Sequence, residues 1–137
     1  MVSPDNAPAA LSMLVVEDDM AAIGVLALVI TRKYAKAAVH LAYDGMMGLQ
    51  LFKEHLPEIV ITDINMPKMD GIEMAEQIKA IRADTKVIVL TAYSDRIVLD
   101  KFNAVGISQH ILKPVDFSRL FGAIDKAIEE IRLERQP

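Results

Sequence analysis

Glu58-Ile59-Val60-Ile61-Thr62-Asp63-Ile64-Asn65-Met66-Pro67-Lys68-Met69-Asp70-Gly71 runs from an apolar, β-branched block into an acid and then a turn. The block at 58–61 has strand length, and two others match it at Met13-Leu14-Val15-Val16 and Val87-Ile88-Val89-Leu90. Their apolarity is continuous instead of alternating, which predicts strands covered on both faces, as in a parallel sheet. Asn65-Met66-Pro67 through Asp70-Gly71 supplies turn chemistry. Ile72, Ala75, Ile78, Lys79 and Ile81 then fall at helical spacing and predict a helix over 71–82.

Outward from this unit the same alternation repeats. Weaker strand candidates lie at 37–41 and 107–112. A nearly all-apolar helix is expected near 20–34 with Asp19 as its N-cap, and a second over 45–55, opening at Asp44-Gly45 and closing before Pro57. A fourth is expected over 95–105 and ends at Gly106, which suits the C′ position. The last begins after Asp116 and places Leu120, Phe121, Ile124, Ala127, Ile128 and Ile131 on one face. Strands alternating with helices mean βαβ units with right-handed crossovers, an α/β fold. Five such units fill residues 11–135, leaving a flexible tail at 1–10 and no room for a second domain.

Composition narrows the function. The 137 residues are 53% hydrophobic and 25% charged, as in globular proteins. Aromatics are scarce at 5% with no Trp, and 15 basic against 19 acidic residues leave a formal charge of −4. That balance argues against binding nucleic acid or an anionic membrane. The absence of Cys excludes disulfides, thiolate catalysis and Cys-based zinc sites. The N-terminus has no signal-peptide pattern, and the most apolar run, Met20–Ile30, is 11 residues, too short for a membrane span. A cytoplasmic location is expected.

In open α/β sheets, the functional crevice lies beyond the carboxyl ends of the strands. The first strand is followed by Glu17-Asp18-Asp19, the third by Thr62-Asp63, the fourth by Thr91 and the fifth by Lys113-Pro114. If strands one, three, four and five are neighbours, all these groups converge. Three carboxylates in one pocket repel unless a cation joins them, and oxygen ligands without His or Cys suit Mg²⁺ or Mn²⁺. Lys113 and Thr91 would hold the oxygens of a phosphoryl group, with one carboxylate as its acceptor. Taken singly, Asp18 and Asp19 also suit helix caps and Asp63 a turn; the four strand ends together distinguish a site.

Glu17-Asp18, Asp63 through Pro67 with Asp70-Gly71, Thr91-Ala92 and Lys113-Pro114 together resemble the receiver domain of bacterial two-component response regulators, from about Met13 to Arg132. The resemblance implies a flavodoxin-like, doubly wound, five-stranded parallel sheet of order 2-1-3-4-5 with five helices. It implies Asp63 as phosphoacceptor, fed by a phosphohistidine on a histidine kinase or histidine phosphotransfer protein. Glu17, Asp18, Asp63 and the backbone carbonyl of Asn65 would hold Mg²⁺. Thr91 and Lys113 would bind the phosphoryl oxygens, and Thr91 with His110 would form the conformational switch. Asn65, Ala92 and Tyr93 occupy positions that tune the phosphoryl lifetime, and the bond to Pro114 is expected to be cis. Enzymatic work would be limited to self-phosphorylation and autodephosphorylation.

The first helix is expected to face the sheet with Ala22, Val25, Leu26, Val29 and Ile30. Met20, Ile23, Ala27 and Leu28 would then face outward as a docking surface for a partner's helices. His40 and His55 are expected at the surface. A Mg²⁺-dependent phosphatase with an Asp nucleophile is a competing reading, opposed by Asn65 where a second Asp is needed. A flavodoxin-like electron carrier is opposed by the acids after the first strand. Output runs through an unknown downstream protein, and the chain reads equally as a stand-alone receiver or as part of a hybrid kinase or longer regulator. Dimerisation through the face of the fourth helix, fifth strand and fifth helix is open.

Overall fold

A computed structural model of the chain describes residues 11–92, 96–107 and 109–136. Five strands alternate with five helices: β1 (Ser12–Val16), α1 (Met20–Lys33), β2 (Ala38–Ala42), α2 (Gly45–His55), β3 (Ile59–Asp63), α3 (Gly71–Ile81), β4 (Lys86–Thr91), α4 (Arg96–Val105), β5 (Gln109–Leu112) and α5 (Phe117–Glu134). All pairings are parallel, in the order β2-β1-β3-β4-β5. The bounds differ from the expected ones by a residue or two, the ordinary scatter of element ends. Among the described residues, no helix is long and apolar enough to cross a membrane.

Continuous apolarity in the central strands has the predicted cause. Met13 and Val15, Ile59 and Ile61, and Ile88 and Leu90 enter one core with α1 and α5. Their neighbours Leu14 and Val16, Val60, and Val87 and Val89 enter a second core with α2, α3 and α4. Each central strand therefore buries both faces, and period-two alternation places successive side chains in different cores. Side-chain oxygens of Asp19, Asp44, Asp70 and Asp116 accept from first-turn N–H groups of the helices that follow. Gly106 closes α4 at φ +91°, a left-handed conformation that favours glycine.

The expected facing of α1 holds for Leu26 and Ile30 inward and for Met20 and Leu28 outward, and is corrected at Ile23 and Val25. Ile23, Leu26 and Ile30 are buried, whereas Val25 is 47% exposed, alongside Leu28 at 49% and Met20 at 66%. A helix apolar on nearly every side carries no phase signal of its own. Its rotation is set at its C-cap. Tyr34 continues the 23–26–30 stripe, packs edge-on against Phe121 and donates its hydroxyl to Asp125 Oδ1 at 2.8 Å. His40 also departs from expectation: it is half-buried and stacked on His55, with ring centroids 3.9 Å apart. Burial, and secondarily His55, holds its pKa below the usual histidine value.

At the amino edge of the sheet, ion pairs are closed. Glu58 is buried, accepts from the Ser12 N–H (2.8 Å) and hydroxyl (3.2 Å), and pairs with Arg135 at 3.2 Å. Lys86 reaches Glu134 at 2.6 Å and Glu130 at 3.6 Å.

Candidate functional site

The opposite edge gathers the strand-end residues. β1 gives way to Glu17, whose N–H donates to Ala42 O at 3.1 Å, so the sheet itself holds this residue inward, 3% exposed. Asp63 is the last residue of β3 and is 8% exposed. Asp18 lies open to solvent between them. Glu17, Asp18 and Asp63 each offer a carboxylate oxygen, all within 4.8 Å of one another.

Lys113 follows β5, and its N–H donates to Thr91 O at 2.8 Å, which ties the ends of β4 and β5 together. Its Nζ lies 3.0 Å from Asp63 Oδ1 and 3.6 Å from Glu17 Oε1. The same Asp63 oxygen accepts the Ile64 N–H at 2.8 Å. Thr91 is buried at the end of β4. The Lys113–Pro114 peptide is cis. A crevice of about 630 Å³ opens here, its polar floor made by Glu17, Asp18, Asp63 and Lys113 and its apolar wall by Val25 and Phe117.

The charges do not balance. Burial, with the Asp63 carboxylate second, pushes the Glu17 pKa up to about 7 against the opposing pull of Lys113. For Lys113, burial works against its charge, yet Asp63 and Glu17 outweigh it and hold its pKa above the ordinary lysine value. Three acids facing one ammonium, with oxygen as the sole donor atom, fit a hard divalent cation. No second cluster of three such groups occurs among the described residues.

Asn65 and Ala92 are exposed on the loops that follow β3 and β4. His110 is exposed on β5, with its ring 5.7 Å from that of Phe102 on α4. Tyr93 lies outside the described residues. In the sequence, Asp70-Gly71 offers turn chemistry and part of the family resemblance, without any contact to Asp63. In the structure, a Cβ on Gly71 would stand 2.1 Å from the Asp63 carbonyl oxygen, so α3 starts against the backbone of Asp63 and tolerates only glycine there.

The sequence profile of the response regulator receiver domain matches residues 13–125. The chemotaxis protein CheY of Bacillus subtilis is 33% identical over 116 residues, covering 84% of this chain and 96% of that protein. An uncharacterised response regulatory protein of Staphylococcus epidermidis is 35% identical over 108 residues, 76% of this chain and 40% of its own length. A probable C4-dicarboxylate response regulator of Priestia megaterium is 33% identical over 115 residues, 84% of this chain and 50% of its own. The chain thus spans half or less of these longer relatives. Among solved structures, the N-terminal domain of an uncharacterised Wolinella succinogenes protein is 36% identical with a TM-score of 0.82, covering 93% of this chain and 100% of that one. A CheX–CheY–BeF3–Mg²⁺ complex from Borrelia burgdorferi contains a chain 26% identical with a TM-score of 0.77, covering 83% of this chain and 86% of that one. With five parallel strands in the order 2-1-3-4-5 and a profile match over most of its length, the chain belongs to the receiver domains of two-component response regulators.

Proposed function

We propose that Asp63 accepts a phosphoryl group from a phosphohistidine of a histidine kinase or histidine phosphotransfer protein, in a Mg²⁺-dependent reaction. The observation that carries this reading is the meeting of the Glu17, Asp18 and Asp63 carboxylates with Lys113 Nζ, 3.0 Å from Asp63. An Asp63 carboxylate oxygen forms the new O–P bond as the donor's N–P bond breaks, and the electron pair returns to the imidazole, which takes a proton from solvent. Lys113 holds a positive charge beside the acceptor, where the arriving phosphoryl oxygens need it, and Thr91 at the end of the neighbouring strand supplies a hydroxyl. Glu17, Asp18, Asp63 and the Asn65 carbonyl are the groups that would hold Mg²⁺, which when bound offsets the charge of both acids and phosphate. Loss of the group needs only water, and returns Asp63 to its carboxylate. Phosphorylation is read out by contact with a downstream protein through a rearrangement of Thr91 and His110.

Met20, Val25 and Leu28 of α1, with Phe117 at the start of α5, expose an apolar surface beside the crevice. This surface supports docking of the donor's helices. Val25→Glu is the informative substitution, since Ile23 is part of the core. It should slow transfer from a kinase and leave phosphorylation by acetyl phosphate unchanged.

The direct test is incubation with Mg²⁺ and acetyl phosphate, read by intact mass. Wild type should gain ~80 Da, the mass of one phosphoryl group, and Asp63→Asn should gain nothing. An adduct that persists in Asp63→Asn, or none in wild type, overturns the proposal.

A further inference from the structure

Thr62 is the residue before the acceptor, fully buried, and the site described above leaves it without a task. Its hydroxyl donates to the backbone carbonyl of Asp63 at 2.8 Å. That carbonyl belongs to the same peptide unit as the Ile64 N–H, which donates to Asp63 Oδ1 at 2.8 Å. A peptide unit is planar, so fixing the direction of its C=O fixes the direction of its N–H. Gly71 closes the other side: its N–H donates to Ile64 O at 2.8 Å, and its missing Cβ leaves room for the Asp63 carbonyl.

We infer that Thr62 is a positioning residue for the acceptor: its hydroxyl sets the Asp63–Ile64 peptide plane, through which the Ile64 N–H orients the Asp63 carboxylate. Donation to the carbonyl also polarises the peptide and strengthens its N–H as a donor. Without the hydroxyl, Lys113 still reaches Oδ1, but from a flexible side chain 34% exposed, and the carboxylate gains rotational freedom. The inference rests on Asp63 being the acceptor, and its failure can be told apart from failure of that reading.

Thr62→Val tests it with little steric change, since Val is nearly isosteric and favours strands at least as well as Thr. We expect the rate of adduct formation with acetyl phosphate and saturating Mg²⁺ to fall about fivefold to tenfold, as for a displaced catalytic geometry. The thermal midpoint should fall only modestly, because the Asp63 carbonyl loses one donor while the buried hydroxyl is replaced by a methyl of similar size. Independently of any phosphoryl transfer, the Ile64 amide proton should shift upfield and exchange faster in nuclear magnetic resonance spectra. Thr62→Ser, which keeps the donor, should restore the rate to within about twofold and the Ile64 resonance with it. Should Thr62→Val fail to fold, Thr62→Ala takes its place, lacking the same donor. A Val variant with the wild-type rate and an unmoved Ile64 amide overturns the inference, as does a Ser variant as slow as Val. No adduct in wild type overturns the acceptor role itself, while the Ile64 amide still reports on the hydroxyl lock.

Discussion

The two edges of one sheet handle buried acid in opposite ways. At the amino edge, Glu58 finds a backbone N–H, a hydroxyl and a guanidinium, and Lys86 finds two glutamates. At the carboxyl edge, Glu17, Asp18 and Asp63 share Lys113. The first edge pairs its charges within the protein and serves stability, as paired and hydrogen-bonded buried charges do. The second keeps a surplus of negative charge facing an open crevice, which is a condition for binding something positive. A binding edge is recognisable here by what its charges lack.

The contrast breaks most visibly if the carboxyl edge binds no cation. Asp18→Asn removes one carboxylate from that edge and should weaken Mg²⁺ binding by on the order of tenfold to a hundredfold, measured by titration calorimetry. An equal affinity in the variant would mean that the surplus charge is not a metal site.

The acid–base behaviour of Glu17 sharpens the comparison. Its folded pKa of about 7 lies above the unfolded value of 4.5, so the folded state holds the proton more tightly. Stability is then greatest below the unfolded value, falls as pH rises from 4.5 to about 7, and stays reduced above that. The loss reaches up to about 3 kcal/mol at pH 8, from the size of the shift. Thermal melts without divalent ions should show it, Mg²⁺ should offset it at pH 8 more than at pH 5, and Glu17→Gln should flatten the profile. A profile flat in wild type would remove the charge strain from the carboxyl edge.

Glu58→Ala probes the other side. It leaves the Ser12 donors and Arg135 without their acceptor and should cost about 1–3 kcal/mol in denaturant unfolding, with Mg²⁺ affinity unchanged. The smallest effect is expected from Glu134→Gln. Its partner Lys86 keeps Glu130, and Glu134 is 49% exposed, so the change should stay below about 1 kcal/mol.

Much of this is legible in the sequence. The strand blocks at 13–16, 58–61 and 87–90 carry β-branched residues, with Glu58 at the start of its run the one polar residue among them, and the caps Asp19, Asp44 and Asp116 stand where helices begin. The convergence of Glu17, Asp63 and Lys113 followed from strand ends plus one assumption about strand order, which the sheet meets. The phase of α1 was not legible, because apolar residues on nearly all sides leave rotation to a contact 91 residues away, Tyr34 with Asp125. Nor was the role of Glu58 legible: in sequence it is the first residue of an apolar run, and its partners Ser12 and Arg135 lie 46 and 77 residues distant.

From its order of residues alone, this chain determined its alternation of strand and helix and the acids that follow its strands, because those depend on local pattern and short-range sterics. Tertiary structure alone decided which face of α1 is buried and which edge keeps unbalanced charge. Such outcomes depend on distances of a few ångströms between groups far apart in the chain, and no local pattern encodes them.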